Sequence, residues 1–154
     1  MKDVYHKYFE DFQVGEKILS GGRQITEADA RLAIGLIGAS HPLHIDPEYC
    51  ASRPDVGAPI AQGSMILGYM DAGFYDWVCP GGEVVVIPEG YEKIRFMKPI
   101  FLGDVVKAEF EIKELSEAGE RFGRVTAAIT VYNQDQLPVT FALEHFLVAK
   151  EGVY

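Results

Sequence analysis

The chain has 154 residues, 48% of them apolar, which suits one domain of ordinary size (1–154) with a real core. A formal net charge of −9 argues against nucleic-acid binding, because the overall field repels a polyanion. No apolar run reaches the roughly 20 residues of a membrane span, so no membrane partner is expected, and scattered glycines and prolines show no repeat or linker.

The opening MKDVYHKYFEDF is charged and aromatic and lacks a signal-peptide core, so the mature protein is expected to begin near Met1 and to be cytoplasmic. Aromatics and glycine turns up to Thr26 read as an irregular arm with a short strand near Glu16 to Leu19. Thr26 can cap a helix whose first turn carries Glu27 and Asp29, matching the helix dipole. Leu32, Ala33, Leu36 and Ile37 recur at helical spacing and predict one apolar face, and Gly38 is a stop signal. Pro42, Pro47, Pro54 and Pro59 forbid a long helix in the next stretch, leaving loop and one helical turn over PEYCAS. Cys50 and Cys79 form no CxxC pair and are expected as free thiols.

IAQGSMILGYMDAGFYDWV has no proline, and Ile66, Met70, Phe74 and Trp77 share a face. Met65, Leu67 and Tyr69 make the other faces apolar too, which predicts a buried helix. Gly63, Gly68 and Gly73 disfavour it, so close approach to a sheet or ligand is their expected reason. The remainder alternates. VVVIPEGYEKIRFMKPI is a strand interrupted near Pro88, KAEFEIKE a half-buried strand, and RVTAAITVYNQDQLPVTFALEHFLVAK a hairpin around NQDQ. The predicted class is α+β, a curved antiparallel sheet wrapped around one long central helix. Such a sheet leaves an edge and an apolar face open, which dimerisation would close.

Chemistry-bearing residues cluster between 38 and 63. His44 sits in a loop between helices, and Pro42 holds His41 extended. Gly63 falls where the buried helix begins, and unpaired N–H groups at a helix start suit a carbonyl oxygen or oxyanion. His41 and His44 with only Asp46 as a third group do not make a metal set, so no metal is expected. Ser40 lacks a nucleophile elbow, so its hydroxyl serves the loop.

Four segments in order resemble the MaoC-like dehydratases, the (R)-specific enoyl-CoA hydratase branch of the hot-dog fold. They are YFEDFQVGEKI, ITEADARLAIGLIGASHPLHIDPEYCA, APIAQGSMILGYM and IRFMKPIFLGDVV. The family motif D-x-N-P-x-H aligns as Ala39-Ser40-His41-Pro42-Leu43-His44, placing the catalytic histidine on His44 and the catalytic aspartate on Ala39, which cannot titrate. Gln62-Gly63 stands where the family often has His-Gly. The resemblance implies an enoyl-CoA hydratase or 3-hydroxyacyl-CoA dehydratase, a hydro-lyase without a cofactor, with acyl-CoA or an acyl-carrier thioester as substrate. His44 would handle water, Gly63 N–H would hold the thioester oxygen, and His41, Ser40 and Gln62 would support them. Asp46 and Glu48 are the nearby carboxylates, at a spacing that differs from the family's. Lys93, Arg95 and Lys98, and more weakly Arg53, read either as a solvated edge or as contacts for coenzyme A phosphates. The resemblance further implies a homodimer or higher homo-oligomer with the site near its interface. Ala39 supports an alternative, a thioester-binding subunit without fast chemistry. A hot-dog thioesterase is a third reading, disfavoured because Asp71 and Asp76 lie far along the helix.

Overall fold

The computed structural model describes residues 6–154. The expectation for Met1 lies outside them. A 3-10 turn at Phe9–Asp11 leads to short strands β1 (Lys17–Leu19) and β2 (Arg23–Gln24) and helix α1 (Glu27–Ile37). A second 3-10 turn at Pro42–His44 and the short α2 (Pro47–Ala51) precede the long α3 (Gly63–Val78). Four long strands follow: β3 (Val86–Phe96), β4 (Val105–Glu117), β5 (Phe122–Tyr132) and β6 (Pro138–Ala149). The sheet order is β1-β4-β5-β6-β3, with β2 added on β4, and every pairing is antiparallel. This sheet and its one long helix form the hot-dog fold. No helix among the described residues is long and apolar enough to cross a membrane.

Local rules account for most boundaries. Thr26 Oγ1 accepts from Asp29 N–H and the Asp29 carboxylate accepts from Thr26 N–H, a reciprocal cap that starts α1. The Thr26 N–H and, further down, Arg23 hold the Asp29 carboxyl below its ordinary value. Gly38, at φ +70°, ends the helix in the left-handed conformation that glycine adopts without strain. Val106, Ala108, Phe110 and Ile112 alternate inward along β4 as the sequence pattern requires. β3 bulges at Pro88/Gly90, where the sequence breaks, and again at Glu92/Arg95, where Lys93 has φ +54°. Its edge position tolerates a proline that cannot donate to a ladder.

The core lies between α3 and the sheet. Ile66, Met70, Phe74 and Trp77 are buried as their spacing predicts. Phe74 stacks on Phe146 at 3.8 Å between ring centres and meets Phe12 and Phe110 around it. The α3 glycines divide by role. A Cβ on Gly73 would lie 2.8 Å from the buried Phe110 ring, whereas one on Gly68 would meet nothing within 4 Å. Gly73→Ala is therefore expected to destabilise the protein by about 1–3 kcal/mol through overpacking, and Gly68→Ala to be neutral or mildly stabilising, as chemical denaturation will show.

One expectation is overturned. The larger apolar residues of α1 do not form its packing face: Leu32 is 70% and Leu36 85% exposed, and Ile37 is also exposed, while Ala30 and Ala33 are buried. The helix docks through its small side chains, which lets its backbone come close to the start of α3. The two leucines project roughly a quarter to a half turn away from that contact.

Candidate active site

The start of α3 is built without a cap. Met65 and Ile66 N–H both donate to the Gln62 carbonyl (3.1 and 3.3 Å), and no side chain caps the end. The Gly63 and Ser64 N–H groups have no partner among the described residues. Two unpaired donors at the positive end of a 16-residue helix make a local seat for negative charge.

His44 is locked to the strap before this helix. Ile60 N–H donates to the Leu43 carbonyl (3.1 Å), and His44 Nδ1 lies 2.8 Å from the Ile60 carbonyl. A carbonyl only accepts, so Nδ1 carries the hydrogen and Nε2 of the neutral ring holds a lone pair. The strap is fixed in turn by Ala61 N–H to the Ile100 carbonyl (2.8 Å) and Leu102 N–H to the Pro59 carbonyl (3.1 Å).

His44 and Gly63 line one cavity of about 520 Å³, together with Asp55, Phe96, Lys98 and Thr140. Gly63 meets the sheet closely, as expected of it: a Cβ there would lie 2.7 Å from the tip of the β3 Phe96 ring, which would have to shift. Phe96 is half exposed and roofs the helix tip.

Apart from Lys98, the other expected site residues fall outside the cavity wall. His41 is a local cap, its Nδ1 accepting from Leu43 N–H at 3.1 Å, with its ring edge-on to Tyr49 and to His44. Ser40 is exposed, and its N–H donates to the Gly38 carbonyl. Gln62 is buried and its amide donates to the Ala30 and Ala39 carbonyls (3.1 and 3.2 Å). That ties the end of α1 to the start of α3, so Gln62 positions the site rather than lining it. Of the basic cluster only Lys98 reaches the wall. Lys93 sits at the β3 bulge, Arg95 donates to the neighbouring Ile94 carbonyl, and Arg53 stacks on Tyr49. Asp55 and Phe96 were not singled out from sequence, because the segments carrying them meet His44 only through tertiary contacts.

The 3-hydroxyacyl-thioester dehydratase Z of Mycobacterium tuberculosis is 29% identical over 118 residues, 76% of this chain and 78% of that protein. Protein MaoC of Klebsiella aerogenes is 27% identical over 117 residues, and the chain spans about a third (34%) of its length. Two solved structures superpose over 94% of the chain. One is R-hydratase PhaJ1 from Pseudomonas aeruginosa (TM-score 0.78, 27% identity, 86% of that chain). The other is a monoamine oxidase regulatory protein from Archaeoglobus (TM-score 0.83, 33% identity, 95% of that chain). The MaoC like domain matches residues 11–134, and the chain belongs to the MaoC-like dehydratase family.

Proposed function

We propose that this chain adds water to a 2-enoyl thioester, and in reverse dehydrates a 3-hydroxyacyl thioester, on coenzyme A or an acyl-carrier protein. The observation that carries this reading is the pairing in one cavity of a free imidazole nitrogen, His44 Nε2, with an uncapped helix start. The thioester oxygen would accept from the Gly63 and Ser64 N–H groups. His44 Nε2 then takes a proton from water as the water oxygen bonds to C3. The C2=C3 electron pair moves toward the thioester as an enolate, held by the same two donors. The imidazolium returns its proton to C2, so one water is consumed and its atoms end on C3 and C2. Lys98, on the cavity wall, would take the phosphate-binding role expected of Lys93 and Arg95.

A homodimer fits the surface. β3 ends the sheet with its outer edge unpaired among the described residues, and α1 exposes Leu32 and Leu36.

Ala39 favours a second reading, a subunit that binds thioesters without converting them. The thioesterase reading has less support: Asp71 accepts from the Tyr91 hydroxyl, and Asp76 lines a different cavity. Incubation with trans-2-butenoyl-CoA separates the three. Loss of the conjugated absorbance without free thiol is the expected result. Thiol release would indicate an esterase, and binding with neither signal would indicate a non-catalytic subunit.

A further inference from the structure

The motif position that should carry a carboxylate is Ala39, and its carbonyl is tied to Gln62. We propose that Asp55, from the loop after α2, supplies that carboxylate to the reacting water. This rests on the hydratase reading.

The other nearby acids are accounted for. Asp46 Oδ1 accepts from Tyr49 N–H at 3.0 Å and caps α2, so it is committed to the fold. Glu48 is an exposed residue of α2 and does not line the cavity. Asp55 is the one acidic residue in the cavity wall among the described residues, and it shares that wall with His44 and Gly63.

Its backbone is held. Val56 and Gly57 N–H both donate to the Arg53 carbonyl at 3.1 Å, and Gly57 closes the turn at φ +76°. Pro54 precedes it and restricts the chain further. The Asp55 carboxylate makes no hydrogen bond or ion pair among the described residues. Asp55, a residue with no structural task on a braced turn, lines the same cavity as His44, whose Nε2 has no protein partner among the described residues.

The chemistry needs such a group. When His44 takes one hydrogen of the water, the other must point away from C3, and an anionic acceptor fixes that orientation. The same charge stabilises the imidazolium until its proton passes to C2. Asp55 gains and loses no proton in this cycle, so the atom balance of hydration is unchanged.

The test is steady-state hydration of trans-2-butenoyl-CoA by Asp55→Asn, Asp55→Glu, His44→Ala and the control Glu48→Gln. Asp55→Asn keeps the shape and removes the charge. It is expected to lower kcat by about 10- to 100-fold with KM within about threefold, and to leave the melting temperature unchanged because the residue is exposed. Asp55→Glu should retain more activity than Asp55→Asn, and Glu48→Gln should match wild type. If Asp55→Asn stays within about twofold of wild type while His44→Ala is inactive, the assignment to Asp55 is wrong and the hydratase reading stands. If the wild-type protein consumes no enoyl thioester, the reading falls and the assignment with it.

Discussion

Replacing His44 with alanine is expected to lower kcat for enoyl-thioester hydration by about 10² to 10⁴, the range of one general acid–base group. His41→Ala, three residues away, should cost less than about tenfold. The two histidines carry different duties. His44 donates through Nδ1 to Ile60 and keeps Nε2 for the cavity, whereas His41 spends Nδ1 on capping the 3-10 turn that holds His44. The stability ranking need not follow the activity ranking. Loss of the His41 cap should destabilise by about 0.5–2 kcal/mol, and loss of the single His44 bond by about 0.5–1.5 kcal/mol. Kinetics and urea melts of both variants check this. Equal losses of activity would mean that the segment acts as a unit and that His44 has no separate chemical role.

The same residues show how far the sequence alone could lead. Periodicity was enough to find α3, because Ile66, Met70, Phe74 and Trp77 sit on one face of a proline-free run bounded by Gly63. Alternation found β4 and the β5–β6 hairpin, and Pro88 marked the bulge in β3. β2 is two residues long and the Pro42–His44 turn three, both too short for any period. The packing face of α1 misled because burial follows closeness of backbone as well as hydrophobicity, and Ala30 and Ala33 permit closer approach than Leu32 and Leu36. His44 and Gly63 were legible through local features, a loop histidine and a glycine at a helix start. Asp55 was not, because its nearness to His44 depends on the strap bond between Ile60 and Leu43. Glu144 did leave a signal: in VTFALEHFLVA it occupies the register of Ala142 and Phe146, an acid among inward-facing residues.

That register makes Glu144 the source of the largest expected pH effect on stability. Its side chain is fully buried, and neither carboxyl oxygen finds a hydrogen-bond partner. It lies opposite Tyr91 of β3, near Asp71 of α3, and the Tyr91 hydroxyl donates to Asp71. Burial, and then the neighbouring Asp71 carboxyl, push the Glu144 acid up to about 9. Burial and the same two acids push the Tyr75 hydroxyl up to about 12. In the unfolded chain a glutamate titrates near 4.3. Between these values the folded state keeps a proton that the unfolded state has released, so stability falls as pH rises. The contribution is fully present below about pH 4.3 and is lost through about pH 9, with a slope of at most about 1.4 kcal/mol per pH unit. For a chain of this size that is a few degrees of melting temperature per unit. Glu144→Gln keeps the shape and cannot ionise. Its melting temperature should vary less between pH 6 and 9 than that of wild type, and at pH 9 it should be the more stable protein. Parallel melting curves across that range would show that Glu144 ionises in the folded state without penalty and would overturn this assignment.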